Sequence, residues 1–199
     1  MRRRLVLIRH GTTIAPGDTY LGMSDYPLSE SGIQECNDLA SGITSNNTYA
    51  TVYTSALLRA KQTAEILLPG RVCQVDSRLN EVDFGNWSGM NIARISSDYP
   101  DLLSEWASNP MKFRFPGGES VGEFIGRIQS FVDEEIKTNE GDMILVCHGG
   151  VIRFIICAMT GIDFSNHLAF DIRRPSLNVI DHDGNFGVLS GLNISRIEI

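Results

Sequence analysis

The chain has 199 residues and a mass of 22.0 kDa, with 42% hydrophobic and 21% charged residues, the proportions of a globular protein able to bury a sizeable core. A formal charge of −7 and an isoelectric point near 5.0 argue against a broad nucleic-acid or membrane surface, although an acidic protein can still hold one focused basic pocket for a small anion. The basic start Met1–Arg4 is followed only by Leu5–Ile8 before Arg9, too short for a signal peptide, and no run reaches membrane-spanning length. Cys36, Cys73, Cys147 and Cys157 form no C-x-x-C pair and show no metal-ligand spacing. They read as free thiols of a reducing compartment, and a cytoplasmic location is expected.

In chain order, Arg4–Ile8 reads as a buried strand, apolar and partly β-branched. Ser29 is expected to cap a helix whose Ile33, Cys36, Leu39, Ala40 and Ile43 share a buried face. Thr51–Tyr53 suggests a second strand, Ser55–Leu67 a helix ended by Pro69-Gly70, and Arg71–Val75 a third strand. From Glu81 to Gly118 the chain turns irregular, with short helices expected between loops and a composition suited to a lid. Ser120 to Glu123 matches a capping box, and Val121, Phe124, Ile125, Ile128, Phe131, Val132 and Ile136 keep helical period behind it. Met143–Cys147 is a further strand that leads through His148-Gly149-Gly150 into the helix VIRFIICAMTG. Two more strands, Leu177–Asp181 and Phe186–Leu189, flank the turn Asp183-Gly184-Asn185. Strands alternating with helices predict an α/β three-layer sandwich, a mostly parallel sheet with helices on both faces. One domain is expected over residues 1–199, with a variable lid or substrate segment at about 85–118.

Two of these strands end in histidine followed by glycine, LVLIRHG at His10 and MILVCHGG at His148. In such a sheet ligands bind beyond the carboxyl ends of the strands, and neighbouring parallel strands would set the two imidazoles side by side. One histidine at a strand end is more often structural; two such ends are harder to dismiss. Arg9 precedes His10, and Arg59 lies one turn into the helix after the second strand. Guanidinium forks match phosphate oxygens, and the helix start after His148 offers free N–H groups to an anion. Together these groups describe a phosphoryl pocket.

RHGTT, SALLRAKQTA, LNEVDFGNWSG, PGGES and VCHGGVIR, in this order, resemble the histidine phosphatase family from Leu5 to about Met159. The resemblance implies a phosphoglycerate-mutase-like fold. It also implies that His10 is the nucleophile and becomes transiently phosphorylated, with Arg9, Arg59 and His148 holding the phosphoryl oxygens. Thr13, Gly22 and Gly149 complete the phosphate-binding set it implies. Glu81 takes the position of the family's acid, with Asp83 as fallback, though a loop carboxylate bonding to backbone is the simpler reading of Asp83. The chain departs from the family pattern at Thr12, Pro16, Thr19 and Ala56, positions that shape the rim. The implied partner is a small phosphorylated substrate, with neither nucleic acid nor membrane, and no metal or cofactor is called for; oligomeric state is left open. Phe84, Trp87, Trp106, Phe113 and Phe115 are each expected in the core first, stacking on a substrate base being the alternative. Lys112, Arg114 and Arg153 read either as solvated or as attracting a second anion, and His167 and His182 as surface or structural.

Overall fold

The structure is a computed structural model and describes residues 2–44 and 50–198, so that Met1 of the basic start lies outside it. Its elements run β1 (Arg3–Arg9), α1 (Glu30–Ala40), β2 (Ile43–Thr44), β3 (Thr51–Thr54), α2 (Leu58–Leu67), β4 (Gln74–Val75), α3 (Ile92–Asp98), α4 (Pro100–Ser108), α5 (Val121–Phe131), β5 (Met143–Cys147), α6 (Gly149–Thr160), β6 (Ser176–His182), β7 (Gly187–Ile194) and β8 (Ile197–Glu198). A six-stranded sheet has the order β4-β3-β5-β1-β6-β7. Its first four strands are parallel, and β6 and β7 join antiparallel. The mostly parallel α/β sandwich expected from the sequence is what forms.

Alternation along β1 explains the layers. Leu5 and Leu7 enter one core with Phe124, Ile128, Ile152 and Ile155 of α5 and α6, while Val6 and Ile8 enter a second with Cys36 and Leu39 of α1 and Ala60 and Ala64 of α2. A strand covered on both faces must be apolar throughout, which is why Leu5–Ile8 carries no polar residue. Truncating Leu7 to Ala would cost about 2–5 kcal/mol by the usual cavity penalty.

Several boundaries move. Ile33 is 42% exposed instead of buried. Gly32 sits against the Thr12 backbone, where a Cβ would lie 1.9 Å from the carbonyl oxygen, so the buried stripe of α1 runs through Gly32, Cys36 and Leu39, and Ile33 turns about 100° away from it. Ile43 leaves the helix altogether and pairs with Ile197 in the small sheet of β2 and β8. Helix α2 begins at Leu58 rather than Ser55. The Ser55 hydroxyl accepts from the Leu57 N–H, and the side chain of Asn80 accepts from the Ala56 N–H, holding a turn where a helix was expected. The strand expected at Arg71–Val75 shrinks to Gln74–Val75, and that at Phe186–Leu189 extends as Gly187–Ile194.

The capping box forms as expected at Ser120 and Glu123, and a π-helical turn at Val132–Ile136 continues α5. Short helices fill the irregular middle, including α3, α4 and the 3-10 turns Gly85–Trp87 and Pro110–Lys112. Trp87, Phe113 and Phe115 are buried there in the core. All four cysteines are free. His182, at the far end of β6 from the strand ends described next, is buried with neither ring nitrogen bonded among the described residues.

Candidate active site

β1 and β5 are adjacent and parallel, with Arg9 opposite Cys147, and the ladder continues through the His10 N–H to the Cys147 carbonyl at 3.1 Å. The two histidines that follow these strands meet with ring centroids 5.1 Å apart, edge to face. The juxtaposition expected from the sequence is therefore present, but the two rings are held differently.

In His10, Nδ1 lies 2.8 Å from the carbonyl oxygen of Gly11. A carbonyl only accepts, so Nδ1 carries the hydrogen and the neutral ring keeps its lone pair on Nε2. That atom makes no hydrogen bond among the described residues and is left to the cavity that His10 lines. Burial, and after it the Arg59 guanidinium, push the ring's pKa well below its ordinary 6.5, while the Gly11 bond acts the other way. A neutral imidazole with its lone pair aimed into a cationic pocket is the protonation state a nucleophile needs.

His148 is fully buried. Its Nδ1 receives the Arg59 Nε–H at 3.3 Å, and its Nε2 donates to the Ser55 hydroxyl at 2.8 Å, which in turn donates to Asn80 Oδ1 at 2.9 Å. Both ring nitrogens are thus committed behind His10, and burial, then His10 and Arg59, hold its pKa well below 6.5.

Arg59 is also fully buried. Its Nη1 donates to the Ser24 carbonyl and its Nη2 to the Gly22 carbonyl, each at 2.7 Å. Gly22 therefore serves by orienting Arg59. Arg9 donates through Nη1 to the Ile172 carbonyl, while its Nε is buried without a partner among the described residues. An enclosed donor with nothing to donate to is costly unless a ligand supplies the acceptor. Burial and the nearby Arg174 lower the Arg9 pKa to about 10. Gly149 packs on Arg9: a Cβ there would sit 3.1 Å from the guanidinium carbon. Thr13 is buried in a bridge to Leu28 instead, away from the cavity lining.

Glu81 lines the same cavity. Its oxygens accept from the Val82 N–H at 3.1 Å and the Gly150 N–H at 3.2 Å. A Cβ on Gly150 would come 2.4 Å from Glu81 Oε1, so glycine is what lets the carboxylate reach the start of α6. The helix N-terminus, expected to face the anion, meets Glu81 instead. Asp83 accepts from the Gly85 N–H at 2.9 Å, the backbone role expected of it.

Arg127, which the sequence reading passed over, fixes this loop. From α5 it donates to the carbonyls of Arg78 and Asn80 at 2.7 Å and of Glu81 at 3.0 Å, and it pairs with Glu119 at 2.8 Å. Periodicity marks it only as the polar face of a helix. Arg174 is the second omission. Ser176 pairs with Arg9, so the residues just before β6 stand beside the end of β1, and Arg174 lines the cavity. The run Arg173-Arg174-Pro175 was a possible signal, but only once β6 is known to run antiparallel beside β1.

The cavity encloses about 680 Å³. Beyond Arg9, His10, Arg59 and Glu81, its lining includes Arg153, Arg174 and His167 and an aromatic wall of Tyr20, Phe84, Trp106 and Phe115, which touch one another. His167, expected as surface or structural, stacks on Phe154 at 4.6 Å. Arg114 pairs with Glu123 and does not line the cavity. Thr19, one of the departures from the family pattern, lines the cavity. Thr12 bonds to Glu35 through both its N–H and its hydroxyl.

A buried histidine held neutral beside two arginines, with the Glu81 carboxyl group lining the same cavity, has the parts that phosphoryl transfer needs. The chain belongs to the histidine phosphatase superfamily (branch 1), whose sequence profile matches residues 5–195, and it is a phosphatase of that family. It is 31% identical over 196 residues to phosphoserine phosphatase 1 of Hydrogenobacter thermophilus, covering 96% of this chain and 92% of that one. The adenosylcobalamin/alpha-ribazole phosphatase of Escherichia coli is 28% identical, with 98% of each chain covered. The crystal structure of the alpha-ribazole phosphatase from Shigella flexneri superposes with a TM-score of 0.89 at 27% identity, covering 98% of each chain. Among the described residues no helix is long and apolar enough to cross a membrane.

Proposed function

We propose that the protein hydrolyses phosphomonoesters through a phosphohistidine at His10, and that its substrate is α-ribazole 5′-phosphate, the lower-ligand nucleotide of cobalamin assembly, dephosphorylated in the cytoplasm. The single observation that carries the mechanism is the fixed tautomer of His10, with Nδ1–H on the Gly11 carbonyl and Nε2 free toward the cavity.

In the first step Nε2 attacks phosphorus, an N–P bond forms and the ester P–O bond breaks. Glu81, in its acid form, gives its proton to the departing alkoxide. Arg9 and Arg59 balance the charge that spreads over the equatorial oxygens. In the second step Glu81 takes a proton from water, which attacks phosphorus, and the N–P bond breaks to release inorganic phosphate and neutral His10. The set of groups needs no metal ion. His148 serves by orienting Arg59 through Nδ1 and by backing the nucleophile.

The substrate reading is supported by the cavity's apolar wall. Tyr20, Phe84, Trp106 and Phe115 pack edge to face at 4.9–5.8 Å, and Phe84 and Trp106 are only half-buried, leaving aromatic surface on which a benzimidazole can stack. It is supported too by the likeness over nearly the whole chain to alpha-ribazole phosphatases. A second reading, phosphoserine, is favoured by the 31% identity to a phosphoserine phosphatase.

Release of inorganic phosphate from α-ribazole 5′-phosphate, phosphoserine, 3-phosphoglycerate and p-nitrophenyl phosphate in EDTA tests both. A kcat/KM for α-ribazole 5′-phosphate well above the others is expected. A preference for phosphoserine replaces the substrate, comparable slow release from all four points to a broad-specificity phosphatase, and dependence on added metal contradicts the mechanism.

A further inference from the structure

We propose that Arg174 is a third arginine of the phosphoryl site, donating to oxygens of the group carried by His10. This rests on the phosphatase reading above.

A transferring phosphoryl group presents three equatorial oxygens, each needing donors, and the site's donors can be counted. A guanidinium has five N–H groups. Arg59 gives three of them to His148, Ser24 and Gly22, leaving one hydrogen on each Nη. Arg9 gives one to Ile172 and keeps four, its buried Nε–H among them. His148, which the family resemblance nominates as a ligand, has no donor left: one nitrogen accepts from Arg59 and the other donates to Ser55. Two arginines remain where the resemblance implies three ligands.

Arg174 brings a third guanidinium to the same cavity. It lines the cavity together with Arg9, His10 and Arg59, brought there by the pairing of Ser176 with Arg9. It makes no hydrogen bond or ion pair among the described residues, so all five of its N–H groups are available. Its neighbours are not in that position: Arg173 pairs with Asp171 at 3.6 Å, and Arg153 donates through Nε to the Phe170 carbonyl at 2.8 Å. The charge of Arg174 reaches the phosphoryl core, since it lowers the pKa of Arg9, His10 and Arg59 alike. No carboxylate among the described residues pairs with it, and like-charged neighbours keep it poised for an anion.

Wild type, Arg174→Ala and Arg174→Lys are compared on p-nitrophenyl phosphate, α-ribazole 5′-phosphate and 3-phosphoglycerate, with inorganic phosphate binding followed by calorimetry. Losing a charged donor to the transferring group should lower kcat/KM by about 10- to 100-fold on all three esters and weaken inorganic phosphate by a similar factor, with Arg174→Lys recovering part. The unfolding midpoint should not fall, because the side chain is exposed and bonds to nothing among the described residues. Wild-type activity and phosphate affinity in Arg174→Ala would overturn the assignment. A loss confined to 3-phosphoglycerate would overturn it as well, moving Arg174 to the substrate carboxylate. If wild type released phosphate from no ester, the phosphatase reading would fail, and the phosphate affinities alone would still decide Arg174.

Discussion

On the floor of the cavity, Arg9, His10 and Arg59 are aimed by backbone carbonyls of Ile172, Gly11, Ser24 and Gly22. The wall above them is Tyr20, Phe84, Trp106 and Phe115, side chains from separate loops and a helix that hold one another by ring contacts. Hydrogen bonds have direction and fail when an atom moves by an ångström; aromatic packing is broad and tolerates repacking. Under the proposed function the floor fixes one chemistry, and the wall sorts the alcohols attached to the phosphate. Substitutions on the floor should therefore act on every substrate, and substitutions on the wall should sort them.

The largest effect is expected at the floor's centre. His10→Ala should lower kcat/KM by at least about 10⁴-fold on every ester, as removal of a nucleophile does, with the fold retained by circular dichroism. Comparable activity in that variant would remove His10 from the mechanism. Next is Glu81→Gln, whose effect should depend on the leaving group. An alkyl phosphate should lose about 10²–10⁴-fold in rate, while p-nitrophenyl phosphate, whose leaving group needs little protonation, should still give a rapid burst of p-nitrophenol. Equal losses on the two esters would show that Glu81 is not the acid.

Smaller effects should come from the wall. Trp106→Ala is expected to raise KM for α-ribazole 5′-phosphate about 5- to 50-fold, the worth of one ring stack, and to leave p-nitrophenyl phosphate within about 3-fold. Parallel losses would erase the division between floor and wall.

The smallest effect concerns pH and stability. His10 and His148 are held neutral well below 6.5, and His182 is shifted the same way, by burial first in each case. The unfolded chain takes up protons near pH 6.5 that the native state refuses, so stability is fully present above that pH and declines as pH falls below it. Thermal unfolding midpoints between pH 7.5 and 5.0 should fall on the acid side. A flat profile would contradict the burial of these rings.

Much of the floor was legible because its residues lie at strand ends. Leu5–Ile8 and Met143–Cys147 are apolar on both faces, which marks buried parallel strands, and a strand's last residues point to the sheet's ligand edge wherever the strand falls in the order. Arg9, His10 and His148 could therefore be placed together without knowing the rest of the topology. Arg174 could not, since nothing in the composition of Ser176–His182 tells an antiparallel strand from a parallel one. Arg127 was hidden for a different reason: its three carbonyl acceptors lie in Arg78, Asn80 and Glu81, a segment without periodicity. Ser55 was expected to start a helix; its hydroxyl instead holds a turn and relays from His148 to Asn80, a tertiary use that local sequence does not reveal.

The central claim is tested most directly by trapping the intermediate. Wild type and Glu81→Gln are mixed with ³²P-labelled p-nitrophenyl phosphate, quenched in alkali, and assayed for protein-bound label. The account predicts label that survives alkali, is lost in acid, accumulates in Glu81→Gln toward one per chain, maps to the peptide containing His10, and is absent from His10→Ala. Turnover with no bound label in either protein, or label that maps elsewhere, would contradict it.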